Sequence, residues 1–197
     1  VVTFYFLGVT TAHSSIMRVF PLWMRELGRP EVVIDGLDLA LHDRPERYRR
    51  AVARIKFDPL SVGGLVTAHK IDLYDAARDM FDALGPHAQL CGEVSCLSKE
   101  GAGLKGWALD PASSGLSLDA TLGEGYFRAG GEVLCFGAGG AATAIAVHLI
   151  GKPCPADRPR RFVVVNRSPG RLERLRATVE RMGTDIAFEY VCSEDPR

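Results

Sequence analysis

The run Gly137-Ala138-Gly139-Gly140-Ala141-Ala142 has the form G-x-G-x-x-A. It follows an apolar run, Glu132 to Phe136, and opens a Gly/Ala-rich helical stretch to Ile150. In that setting each small residue has a job. Gly137 permits a tight turn, Gly139 lets the backbone approach a pyrophosphate, and Ala142 lets the helix pack closely on a sheet. The helix start then offers free N–H groups and a positive dipole end to phosphate. The next apolar run ends in Asn166-Arg167-Ser168. Sites for a nicotinamide dinucleotide without a 2′-phosphate usually carry an acid here, which accepts from the ribose hydroxyl. An amide, a guanidinium and a hydroxyl can all donate to a phosphate instead. The pattern therefore favours NADP(H), with Gly137 to Ala142 on the pyrophosphate and Asn166, Arg167 and Ser168 on the 2′-phosphate.

The elements around these residues alternate. Thr3 to Val9, Val32 to Leu39 and Leu60 to Ala68 read as strands. Ser15 to Leu27, Arg44 to Phe57 and Ile71 to Leu84 read as helices, the last with Ile71, Tyr74, Ala77, Phe81 and Leu84 on one stripe. Such a rhythm argues for a mostly parallel α/β sheet. Val94 to Ser98 and Leu104 to Ala108 read as a hairpin. Ser113 to Arg128 is expected as a helix weakened by Gly123 and Gly125. Phe162 to Val165 and Ile186 to Cys192 read as strands flanking a helix, Pro169 to Met182. The expected organisation is an α/β domain over 1–112, a connecting helix over 113–129 and a partial Rossmann-type domain over 130–197. Strand-helix-strand-helix-strand is half of a doubly wound domain. The chain is thus expected to be a fragment of a longer protein.

Composition excludes several classes. Lysine plus arginine and aspartate plus glutamate number 24 each, so nothing global draws the chain to nucleic acid or an anionic membrane. Five cysteines without a CxxC pair argue against a disulfide framework or a zinc site, and no metal is expected. No apolar run reaches the ~20 residues of a membrane helix. Val1 to Val9 reads as a strand and lacks a signal peptide's charged start. A cytoplasmic setting with reduced thiols is the expectation.

The two nucleotide motifs resemble the shikimate dehydrogenase family, whose phosphate turn is GAGGA and whose clamp is N-R-[ST]. Four N-terminal segments resemble that family in the same order. Gly8 to Ser14 is similar to its G-x-P-x-x-H-S segment, and Gly64 to Lys70 to N-V-T-x-P-x-K, one residue short. Gly92 to Cys96 is similar to G-A-V-N-T, and Gly106 to Asp110 to G-x-N-T-D. The resemblance implies a substrate-binding domain joined to a Rossmann-type domain with the active site in the cleft. It implies reversible reduction of 3-dehydroshikimate by NADPH, a step toward aromatic amino acids. It also implies C-terminal helices that return to the first domain. By resemblance Lys70 and Asp110 form the catalytic pair. The chemistry agrees: ketone reduction needs a proton on oxygen as hydride reaches carbon, and an ammonium held by a carboxylate can supply it.

The match has gaps. The family's second serine and proline after H-S are Ile16 and Met17. The asparagine of N-V-T is Leu65, that of G-A-V-N-T is Ser95, and N-T-D reads Ala108-Leu109-Asp110. Ser14, Thr67 and Ser95 are the surviving candidates for binding a small cyclic hydroxy acid. A pocket that loses hydrogen bonds loses discrimination. Dehydrogenation of quinate or another hydroxy acid is therefore one alternative, and a non-catalytic nucleotide-binding paralogue or redox sensor is another. A homodimer is left open. His69 is expected as a partly exposed loop residue, His13 as a support for its loop, Cys96 as a passive thiol and Trp107 as packing. Arg158, Arg160 and Arg161 are expected as a solvated loop that could add to phosphate attraction.

Overall fold

The computed structural model describes residues 1–193. Two compact units divide it, Val1–Ala108 and the stretch from Leu109 onward. The first contains β1 (Thr3–Gly8), α1 (Ile16–Glu26), β2 (Val33–Asp38), α2 (Pro45–Phe57), β3 (Ser61–Val66) and α3 (Lys70–Ala77). It continues through β4 (Ala83–Leu84), α4 (Pro86–Cys91), β5 (Cys96–Glu100) and β6 (Gly103–Trp107). The second contains α5 (Asp110–Leu122), β7 (Glu132–Phe136), α6 (Gly140–Ile150), β8 (Arg161–Asn166), α7 (Pro169–Met182) and β9 (Ala187–Cys192).

In the first unit the strand order is β2-β1-β3-β5-β6-β4 among the described residues. β1 runs parallel to β2 and β3, while β5 is antiparallel to both β3 and β6. The sheet is thus mixed, because the hairpin expected from the sequence joins the parallel strands at β3. Its pairs run from Cys96↔Trp107 to Glu100↔Gly103, leaving a two-residue turn. Leu7, Val52, Ile55, Leu73, Val94 and Leu104 are fully buried in one core. Each such side chain contributes about 2 kcal/mol through removal from water.

Several elements differ from the sequence reading. The helix expected to Leu84 stops at Ala77, passes through a 3-10 turn at Arg78–Met80 and gives way to β4. Its stripe is real, but α2 interferes. The Arg49 guanidinium donates to Ala76 O at 2.9 Å and pairs with Asp79, and Lys56 Nζ donates to Met80 O at 2.8 Å. Carbonyls that a longer helix would use are therefore held from outside. Asp82 accepts from Leu104 N at 2.7 Å, and β4 adds to β6. The short α4 has no counterpart in the sequence reading; Pro86 occupies its first turn, where a missing N–H costs nothing. α1 carries the expected stripe, yet only Phe20 is buried, stacked on Phe4 at 4.9 Å, and Trp23 and Leu27 are exposed.

The second unit holds a parallel sheet of order β7-β8-β9. Phe162 and Val164 of β8 pack with Leu149 of α6 and Leu172 and Leu175 of α7. On the other face of β7, Leu134 and Phe136 are 59% and 80% exposed. α5 starts at Asp110, earlier than expected, and ends at Leu122; Tyr126–Ala129 is a separate 3-10 turn. Gly123 and Gly125 have positive φ and break the helix there. α5 belongs to the second unit and lies against α6.

Candidate functional site

Strand direction sorts the residues of the first unit. β1 and β3 are parallel, so Gly8 and Val66 end at one edge of the sheet. β5 runs the other way and starts there, opposite Leu65, and β6 ends there at Trp107. Ser14, Thr67, Lys70 and Ser95 all lie in segments attached to that edge. Backbone bonds tie the segments together. Thr67 N donates to Leu7 O (3.1 Å), Val66 N to Ser95 O (2.9 Å), Ser95 N to Trp107 O (2.8 Å) and Val94 N to Lys70 O (3.1 Å).

Lys70 is half-buried and is the first residue of α3. Asp72 in the same turn offsets the unfavourable placing of a cation at a helix start. Thr67 Oγ1 donates to Leu7 O at 3.3 Å, and the buried Ser95 Oγ to Trp107 O at 3.4 Å. Both hydroxyls donate to backbone, and the Thr67 oxygen can still accept. Ser14 is partly exposed, in the segment leaving the 3-10 turn Thr11–His13. His13 is exposed. Burial pushes the Cys96 thiol up from its ordinary range, which fits a passive role. Trp107 Nε1 donates to Ser98 Oγ at 2.9 Å across the hairpin.

Two features of this edge escape sequence reasoning. Thr11 is buried, and its N–H and Oγ1 both donate to Asp38 Oδ1, at 2.9 and 2.6 Å. The pair pins the Ser14 loop to β2, and the Thr11 hydroxyl holds the Asp38 carboxyl below the usual carboxylate range. His69 is fully buried rather than partly exposed. Its Nδ1 lies 3.3 Å from the Tyr48 hydroxyl, and the two rings are in tilted contact. Tyr48 Oη also accepts from Asp43 N at 3.1 Å. The missing residue in the Gly64 to Lys70 segment is the only hint in the sequence that this turn is drawn inward.

In the second unit Gly137 has φ +105°, which disfavours any side chain, and its N–H donates to Val165 O at 2.8 Å. That bond ties the ends of β7 and β8 together. A Cβ built on Gly139 meets nothing within 4 Å, so the space before the helix is open. Ala138 and Ala142 are buried. Thr143 N and Oγ1 both donate to Gly139 O, at 3.1 and 3.2 Å. α6 starts at Gly140 and Ala141 with neither a side-chain cap nor an acid in its first turn. This cradle fits a dinucleotide pyrophosphate.

At the end of β8, Asn166 Nδ2 donates to Ser168 O at 3.1 Å and shapes the turn. Arg167 and Ser168 are exposed, and Arg167 has no acidic partner among the described residues. Arg171, in the first turn of α7, is likewise exposed and lacks an acidic partner among them. Sequence reasoning overlooked it; the cue is a helix whose first turn holds arginine and no acid. Arg160 and Arg161 are exposed, as expected of a solvated loop, but all three arginines of the run Arg158, Arg160 and Arg161 are engaged by acids rather than left for a phosphate. They pair with Asp185, with Glu132, and with Glu132 and Glu189. Glu132 and Arg161 open β7 and β8, at the opposite sheet edge from Gly137 and Asn166. Among the described residues no His/Cys/Asp/Glu group could hold a metal, and no helix is long and apolar enough to cross a membrane.

No family model matches the chain. It is similar to the shikimate dehydrogenase (NADP(+)) of Brucella abortus (strain S19), with 30% identity over 171 residues, 86% of this chain and 53% of that protein. The chain thus spans about half the length of the curated relatives it matches. The fold is similar to Mycobacterium tuberculosis shikimate dehydrogenase, with a TM-score of 0.72, 22% identity, and coverage of 98% of this chain and 65% of that one. It is also similar to quinate dehydrogenase from Corynebacterium glutamicum in complex with NAD, with a TM-score of 0.75, 17% identity, and coverage of 97% and 64%. Ordered N-terminal motifs, a glycine turn at a strand–helix junction and these likenesses converge: the chain belongs to the shikimate/quinate dehydrogenase family.

Proposed function

We propose that this chain carries the substrate- and NADP(H)-binding parts of an oxidoreductase that interconverts a cyclic hydroxy acid and its ketone, with shikimate as the first candidate. The observation that carries the reading is the open, uncapped start of α6 behind Gly137, next to a β8 end rich in donors and free of acids. Gly137 to Ala142 hold the pyrophosphate, and Arg167, Ser168 and Arg171 hold the 2′-phosphate. When bound, NADPH supplies the hydride. Lys70 Nζ donates the proton that the carbonyl oxygen takes up as its carbon is reduced, and Asp110 is the second catalytic residue that the family resemblance implies. Thr67 has its proton on a backbone carbonyl, so it accepts from a substrate hydroxyl rather than donates to a carboxylate, and Ser95 is the second polar candidate. Ser14 is left as the serine donor for the carboxylate.

The test follows NADP⁺ reduction with shikimate and then quinate, beside Lys70→Ala. Turnover that collapses in the variant supports the reading. NADPH binding without turnover of either acid favours a second one, a nucleotide-binding paralogue without catalysis. The commitment of the Thr67 and Ser95 hydroxyl protons to backbone is the observation behind that alternative.

A further inference from the structure

α5 and α6 pack against one another at Gly115, under the His148 ring. A Cβ built on Gly115 would stand 2.1 Å from His148 Nδ1 and within 2.6 Å of two ring carbons. Only glycine at 115 leaves room for that imidazole. The ring is fixed from its other side: Nε2 lies 2.9 Å from Asp119 Oδ2. Asp119 Oδ1 in turn accepts from Lys152 Nζ at 2.7 Å. One carboxylate on α5 therefore holds a side chain in the last turns of α6 and another just beyond its end. The His148 and Lys152 side chains are about four-fifths buried, at 20% and 19% exposure. The Lys152 ammonium, ahead of His148, keeps the Asp119 carboxyl below its usual range.

The two helices carry different parts of the proposed chemistry. Asp110 is the first residue of α5, and the dinucleotide turn leads into Gly140, the first residue of α6. Gly115 lies ~8 Å along α5 from Asp110, at 1.5 Å per residue. His148 lies ~12 Å along α6 from Gly140 on the same rise. A rigid crossing at Gly115 and His148 sets where Asp110 stands relative to the phosphate-binding turn.

We propose that Gly115, Asp119, His148 and Lys152 form a positioning clamp that holds Asp110 in register with the nucleotide turn. None of the four touches substrate or cofactor in this reading. The clamp rests on the proposed roles of Asp110 and the turn, but its geometry can be tested without them.

The first experiment is a double-mutant cycle on the full chain. Gly115→Ala drives the ring off Asp119 and lowers the melting temperature. In the His148→Ala background the same substitution meets no ring, and it raises the melting temperature because alanine is the better helix former. A drop of equal size in both backgrounds overturns the clamp. The second experiment records backbone amide spectra of Asp119→Asn and His148→Gln. Shifts at Asp110 and at Gly139 to Ala142 are expected; changes confined to the crossing overturn the positioning role. The third measures turnover at saturating NADPH. A fall of about 10-fold in kcat, with the NADPH dissociation constant changed less, is expected from a misplacement of an ångström or less. Folded variants with unchanged kcat would reduce the cluster to a structural one. Failure of the wild-type chain to bind NADPH would instead overturn the proposed function, while the cycle and the amide shifts would still report on the clamp.

Discussion

The sites proposed in the two units draw on different parts of the polypeptide. In the second unit the backbone does the work: a positive φ at Gly137, open space before Gly139 and an uncapped helix start. Only small residues satisfy those demands, so the motif stays readable. In the first unit side chains do the work, and several of them also build the fold. Thr67 and Ser95 brace strand ends, Thr11 pins a loop through Asp38, and His69 is packed on Tyr48. Residues with two duties can lose one and keep the other, and their identities then point less clearly to a ligand.

This contrast is open to attack. The largest effect is expected at Lys70: Lys70→Ala lowers shikimate turnover by about a thousand-fold, within the range for loss of an acid catalyst. NADPH affinity, measured by fluorescence titration, stays unchanged. A parallel loss of NADPH affinity would show that the two sites are not divided as proposed.

Next comes Arg167→Ala. Loss of a charge-assisted bond to phosphate weakens NADPH binding by about 10- to 100-fold. NADH binding is unaffected, because it lacks the group concerned. Equal weakening of both cofactors would place Arg167 on the pyrophosphate instead.

Smaller changes follow at the residues with double duty. Thr67→Val and Ser95→Ala each remove one bond to a backbone carbonyl and cost about 1 kcal/mol by denaturant unfolding. If the hydroxyls also accept from substrate, KM for the acid rises while the NADPH dissociation constant does not. Stability loss with an unchanged KM would leave them structural only.

The smallest effect concerns pH. Thr11 depresses the Asp38 carboxyl in the folded state. Its contribution is therefore complete above the unfolded value of about 3.9 and disappears as pH falls through the lower folded value. Thr11→Val should lower the melting temperature at pH 7 and converge with the parent chain as the folded Asp38 carboxyl protonates in acid. A gap that does not narrow would mean that packing of Thr11, and not the carboxylate, holds the loop. A spectroscopic marker of the second unit is independent of all this: burial pushes the Tyr190 hydroxyl up to about 12, so it should ionise last in an absorbance titration.

What the sequence determined by itself is most of the succession of elements and the glycine turn after β7. α7 spans the residues read for it, Pro169–Met182, and α2 starts at its proline. These features rest on local causes: periodicity, proline at a helix start, glycine at a positive φ. The outcomes that the tertiary structure decided involve partners far apart in the chain. Arg49 and Lys56 cut the third helix short, and Tyr48 draws His69 into the core. Glu132 and Glu189 bind arginines that the sequence offers equally well to a phosphate. A side chain's type states which bonds it can make. Which one it makes depends on what folding brings beside it, and burial then makes that choice costly to reverse.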